Sequence, residues 1–273
     1  MMEILFVVGI VVAVIVVLFG LALTWRDALV SENGGTISGL VAKISSILNL
    51  GPPKALQDLR WKLVKKEGGR KSLVVAFAGG GIRMGGVPRR EFVRTMEKLE
   101  NCDVLFVTDP EQCFYGRNVD QWVDDLGSLC KSYEGVLFVG NCMGSTGALG
   151  LGSRLKVDRI LVFAPICAPH EDPRWNVRNY TQWCLNSAQR NSLRDAVVAS
   201  VAECRQGVEV HRNFSEKDLL HTALLEKAPS AETKLKVIPY KVPGYEESSV
   251  AKYLRAENKL VHVIEENLRI ACS

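Results

Sequence analysis

The stretch Val136-Leu137-Phe138-Val139-Gly140-Asn141-Cys142-Met143-Gly144-Ser145-Thr146-Gly147-Ala148-Leu149 decides how the rest of the chain is read. Its first four residues are apolar without alternation, as in a strand buried on both faces. From Gly144 onward small and apolar side chains recur at helical spacing. Between the two lies Gly140-x-Cys142-x-Gly144, a sharp turn from strand into helix. Glycines suit the positions flanking the cysteine, because strand and helix backbones meet there and leave no room for side chains. The expected outcome is a cysteine at the first turn of a helix, where the positive end of the dipole favours thiolate. A buried cysteine in a glycine-rich turn is the plainer alternative.

On either side the chain alternates short apolar runs with amphipathic stretches, the pattern of βα units around a parallel sheet. Strands are expected at Leu73 to Ala78, Val104 to Thr108, Val136 to Val139, Ile160 to Ala164, Val208 to His211 and Leu235 to Tyr240. Helices are expected near 89 to 99, 118 to 132, 144 to 154, 190 to 204, 216 to 226 and 249 to 268. This order predicts an α/β fold: a three-layer α/β/α sandwich with a mostly parallel sheet over residues 71 to 273.

With a strand, a G-x-C-x-G turn and a helix in that order, the chain resembles the α/β-hydrolase family, in the manner of its dienelactone-hydrolase branch, where a cysteine takes the usual serine's place. The resemblance spans roughly residues 71 to 268 and is most specific at the turn. It implies that Cys142 is the nucleophile, that the N–H of Met143 and one from the loop Gly79-Gly80-Gly81, taken as Gly80, form an oxyanion hole, and that Asp218 is the acid. It also implies a histidine after the last strand, and Lys241-Val242-Pro243-Gly244-Tyr245-Glu246-Glu247-Ser248-Ser249 contains none. His221, one helical turn beyond Asp218, is the candidate base, and His170 is a second. His211, in a strand, and His262, on the final helix, read as structural.

Two functions follow. One is a thiol-dependent ester or thioester hydrolase or acyl transferase; the other is a catalytically inactive hydrolase-like domain serving as a structural or binding subunit of a membrane assembly. A cysteine thiolate attacks activated acyl groups without a base, but deacylation by water suffers.

Other segments read less sharply. The tri-glycine loop with Asp109 fits only a loosened dinucleotide fingerprint. Arg89 and Arg90 stand where an anion or plain solvent would meet a helix start. Asp109-Pro110-Glu111-Gln112-Cys113-Phe114-Tyr115-Gly116 lies at the carboxyl edge of the sheet, either walling a pocket or packing two aromatics into a turn. The segment from Ala168 through Trp183 sits where such folds insert lids.

The amino-terminal part is different in kind. No charge occurs from Ile4 to Trp25, a run long enough to span a hydrocarbon core, and only Glu3 precedes it, unlike the positive start of a cleaved signal. Residues 1 to 25 are read as a single-pass transmembrane anchor and 26 to 70 as a connector with amphipathic helices. Arg26 and Lys43 place the following domain on the cytoplasmic or equivalent (stromal or matrix) side. The expected partners are the membrane, through residues 4 to 25, and other subunits of a membrane complex. The net charge of +4 is scattered, which excludes a nucleic-acid footprint. Eight cysteines without a CxxC pair or zinc spacing point to buried free thiols and to no metal or other cofactor.

Overall fold

The sheet grows from the centre. The computed structural model describes residues 60–66, 71–79, 90–109, 111, 113–169, 185–242 and 250–273. The apolar run 4 to 25 and connector residues 26 to 59 lie outside them, as do Gly80, Arg89, His170, the lid segment from 170 to 184 and positions 243 to 249. Among the described residues no helix is long and apolar enough to cross a membrane.

Seven strands form one sheet in the order β1-β3-β2-β4-β5-β6-β7. They are β1 (Trp61–Val64), β2 (Ser72–Phe77), β3 (Asp103–Val107), β4 (Gly135–Asn141), β5 (Arg159–Phe163), β6 (Val208–Asn213) and β7 (Leu235–Tyr240). All neighbours are parallel except β1, which runs antiparallel to β3 with Trp61 opposite Val107. The central strands are the ones that read as unbroken apolar runs, and they are buried on both faces. The two edges carry Lys62 in β1 and Lys236 and Pro239 in β7; a proline without an N–H fits an edge position.

Helices cover both faces. They are α1 (Val93–Met96), α2 (Val119–Cys130), α3 (Met143–Leu155), α4 (Ser187–Glu203), α5 (Glu216–Glu226), α6 (Ala231–Lys234), α7 (Val250–Ala256) and α8 (Leu260–Ala271). Val74, Ala76, Leu137, Val139, Leu161 and Phe163 meet α1, α7 and α8 on one face. On the other, Phe77 packs edge-on against Tyr115, whose ring in turn meets Trp122 of α2. The expected sandwich is therefore present, with a seven-stranded, mostly parallel sheet.

Three differences from the sequence reading have physical causes. β1 lies within the stretch read as connector: Trp-Lys-Leu-Val is four residues between charged neighbours, too short for periodicity to register. The helix expected at 190 begins at Ser187, because Asn186 and Gln189 form a reciprocal capping box at 2.9 Å each way. The single helix expected over 249 to 268 is two, broken where Asn258 adopts φ 57° and Lys259 N–H bonds back to Leu254 O at 2.8 Å.

One buried ionic cluster ties the carboxyl half together. Glu209 of β6 accepts from Arg159 at 3.3 Å, from Lys236 at 2.9 Å and from Asn267 at 3.0 Å, and lies 2.7 Å from His211 Nε2. Burial alone would raise its carboxyl, but the bonds from His211, Lys236 and Asn267 win and hold it at about 2. His211 Nδ1 meets the Tyr240 hydroxyl at 2.9 Å, so this histidine is structural, as expected.

Candidate active site

Cys142 sits between β4 and α3 with φ 54° and ψ −118°, a backbone conformation sparsely populated by any residue with a side chain. The flanking glycines make it possible. A Cβ on Gly140 would lie 2.4 Å from Gly144 O, and one on Gly144 would lie 2.3 Å from Phe77 O. Strand, turn and helix thus interlock backbone to backbone. Cys142 N–H donates to Phe163 O at 3.0 Å, and Ser145 Oγ donates to the same carbonyl at 3.1 Å, which fixes the turn to β5.

Cys142 is half-buried as a residue, and its sulfur accepts the N–H of Met143, the position read as an oxyanion-hole donor. The helix-dipole expectation of a lowered thiol does not survive packing. Burial pushes the thiol up to about 11; Lys217 opposes the rise, while Glu91 and Asp218 reinforce it. Desolvation therefore outweighs the helix terminus.

Glu91 is one of two site residues that the sequence does not reveal, Lys217 being the other. Its carboxylate accepts from the Asn141 side chain and the Gly79 N–H, and a Cβ on Gly79 would fall 2.7 Å from Glu91 Oε1. The carboxyl is thus lodged over the residue preceding Cys142. Burial pushes it up to about 7, and its Oε2, shielded from solvent, accepts no bond from the described residues. In the sequence Pro88-Arg89-Arg90-Glu91-Phe92 stands out only by its paired arginines. The placement depends on Phe92, which adopts φ 62° and sets its ring 5.9 Å from Phe163, and no local pattern encodes that.

Asp218 arrives from α5. Ser215 caps the helix by accepting from Asp218 N–H at 3.2 Å, and Asp218 Oδ2 accepts from Asn213 N–H at 2.7 Å, folding the first turn back onto the end of β6. The aspartate is fully buried, burial raises its carboxyl, and Oδ1 accepts nothing from the described residues. Lys217 beside it is 4 % exposed, and His221 is buried one turn further along. The structure brings Cys142, Met143, Asp218 and the unforeseen Glu91 and Lys217 to one corner of the sheet. Gly80 and His170 lie outside the described residues, and His262 faces solvent on α8.

Asp109 holds its own loop together. Its oxygens accept from Glu111 N–H at 3.1 Å and Tyr115 N–H at 2.9 Å, and the Tyr115 hydroxyl donates to Ala78 O at 2.8 Å. Phe114 and Tyr115 are buried, so this loop packs its aromatics into a turn.

No protein-family model matches the chain, and no curated protein matches it in sequence. Solved structures match its fold. The capsule O-acetyltransferase of Neisseria meningitidis serogroup A aligns with a TM-score of 0.56 at 13% identity, over 74% of this chain and 91% of that one. An S-formylglutathione hydrolase from Agrobacterium tumefaciens aligns at 0.54 and 12% identity, over 77% and 89%. A chain of the Glycosylation Associate Protein (Gap123) complex from Streptococcus agalactiae aligns at 0.53 and 15% identity, over 73% of this chain but 46% of that one. Strand order, a strained elbow at Cys142 and these likenesses agree: the chain has the α/β-hydrolase fold.

Proposed function

We propose that the protein is a membrane-anchored, thiol-dependent acyl hydrolase or acyl transferase acting on esters or thioesters, with Cys142 as nucleophile. The observation that carries this reading is the elbow: a cysteine at φ 54° and ψ −118° with the Met143 N–H on its sulfur. Membrane attachment rests on the apolar run from Ile4 to Trp25. A thioester donor is in keeping with the neighbouring capsule O-acetyltransferase, one of whose structures is a complex with CoA.

The chemistry needs no histidine in the loop after β7. The thiol proton passes to the Glu91 carboxylate, sulfur bonds to the acyl carbon, and the bond from that carbon to the leaving group breaks. The leaving oxygen or sulfur then takes the proton from Glu91. In the second half, water or an acceptor hydroxyl gives its proton to Glu91 and attacks the thioester, and the released thiolate recovers that proton. A carboxyl poised near 7 suits both directions of transfer at neutral pH. Met143 N–H, joined by Gly80, receives the developing oxyanion, and Asp218 remains the acid of the site.

The test is turnover of short-chain thioesters and aryl esters by the full chain. Multiple turnover that vanishes in Cys142→Ala supports the proposal. Glu91→Gln is expected to lower the rate by on the order of 10²-fold or more, and His221→Ala less, if Glu91 is the base. A wild-type chain that acylates once or not at all favours the second reading, an inactive subunit of a membrane assembly. The thiol held at about 11 and the histidine-free segment 241 to 249 favour that reading.

A further inference from the structure

A lysine is rarely buried without a charge to answer. Lys217 is 4 % exposed, on the first turn of α5, and that turn is pinned to the end of β6 by Asn213 N–H on Asp218 Oδ2 at 2.7 Å and Phe214 N–H on Asn213 Oδ1 at 2.8 Å. The register carries Asn141 to Phe163 to His211 across β4, β5 and β6, so the end of β6 lies at the level of the elbow. Three charged side chains act on the thiol from two segments: Lys217 and Asp218 from α5, and Glu91 from the stretch before α1. Arg212 acts on Asp218 from β6. Lys217 is the one cation that acts on Cys142 directly among these.

We propose that Lys217 is the positioning cation of this site, standing against the Cys142 sulfur as it becomes thiolate and so supplying the charge that an imidazolium supplies in a Cys-His pair. This rests on the thiol reading of the site and deepens it. Glu91 takes the proton and Lys217 balances the sulfur, two tasks that one histidine combines elsewhere. With both carboxylates ionised, Lys217 is the one of these cations that acts on the sulfur directly, and losing it would leave the Met143 N–H to face a thiolate beside two carboxylates.

Alkylation reads this without turnover. In the full chain, the rate of Cys142 carbamidomethylation by iodoacetamide is followed by peptide mass spectrometry across pH 6 to 10, with the exposed Cys272 as internal reference. Lys217→Met is expected to shift the Cys142 profile upward by about one pH unit or more, slowing the neutral-pH reaction about tenfold, while Lys217→Arg restores most of it. A profile unmoved in Lys217→Met overturns the proposal. Should Lys217→Met fail to fold, Lys217→Gln set against Lys217→Arg decides: the Cys142 profile is expected to move upward with glutamine and to stay near wild type with arginine. A profile unmoved in Lys217→Gln overturns the assignment. Absent turnover with a shifted profile would sink the enzyme reading and leave this one standing; turnover with an unmoved profile would do the reverse.

Discussion

At Cys142 two effects oppose each other: the helix start and Lys217 favour thiolate, while burial and two carboxylates oppose it, and opposition prevails in the resting chain. Glu91 bears a related cost. Its carboxyl stands at about 7 in the folded chain against an ordinary 4.5, so the folded state holds that proton more tightly. The contribution to stability is present below about pH 4.5 and is lost as pH rises through 7, amounting to up to about 3 kcal/mol. Glu91→Gln is therefore expected to be more stable than wild type at pH 8 and close to it near pH 4.5, as read from urea midpoints at the two pH values. Equal differences at both pH values would show that Glu91 does not titrate in that window.

Among the elements, the β4–α3 junction tolerates least. Gly144→Ala sets a methyl 2.3 Å from a β2 backbone carbonyl that cannot rotate away, and is expected to cost about 3 kcal/mol or more in chemical denaturation. Gly150→Ala is the contrast within the same helix: its methyl would lie 3.3 Å from the flexible Leu193 Cδ1, and alanine's helix preference offsets the crowding to within about 1 kcal/mol. Comparable losses at the two positions would mean that the elbow is looser than its hydrogen bonds to Phe163 imply. Legibility in sequence also varied by element. β7 and α5 have the bounds that periodicity gave, whereas β1 rests on edge pairing, α6 on a left-handed Ser230 and the α7–α8 break on a left-handed asparagine, none of which periodicity carries.

For the molecule as a whole, the proposal joins a hydrolase-like domain to a membrane. In the full chain, Val12→Arg with Val16→Arg places two guanidinium groups near the middle of the apolar run, each costing about 3 kcal/mol in a bilayer. The doubly substituted chain is expected to leave the membrane fraction on alkaline carbonate washing while wild type stays; retention of both would refute the anchor. The alternation of apolar runs and amphipathic stretches, the glycine-cysteine-glycine turn and the apolar amino-terminal run were all readable in the sequence, because periodicity and steric need at a turn are local properties. Only tertiary structure brought Glu91 over Asn141, set Lys217 and Asp218 against the thiol, and reversed the expected direction of the Cys142 ionisation. Desolvation and charge pairing depend on which distant segments pack together, and no spacing along the chain contains that.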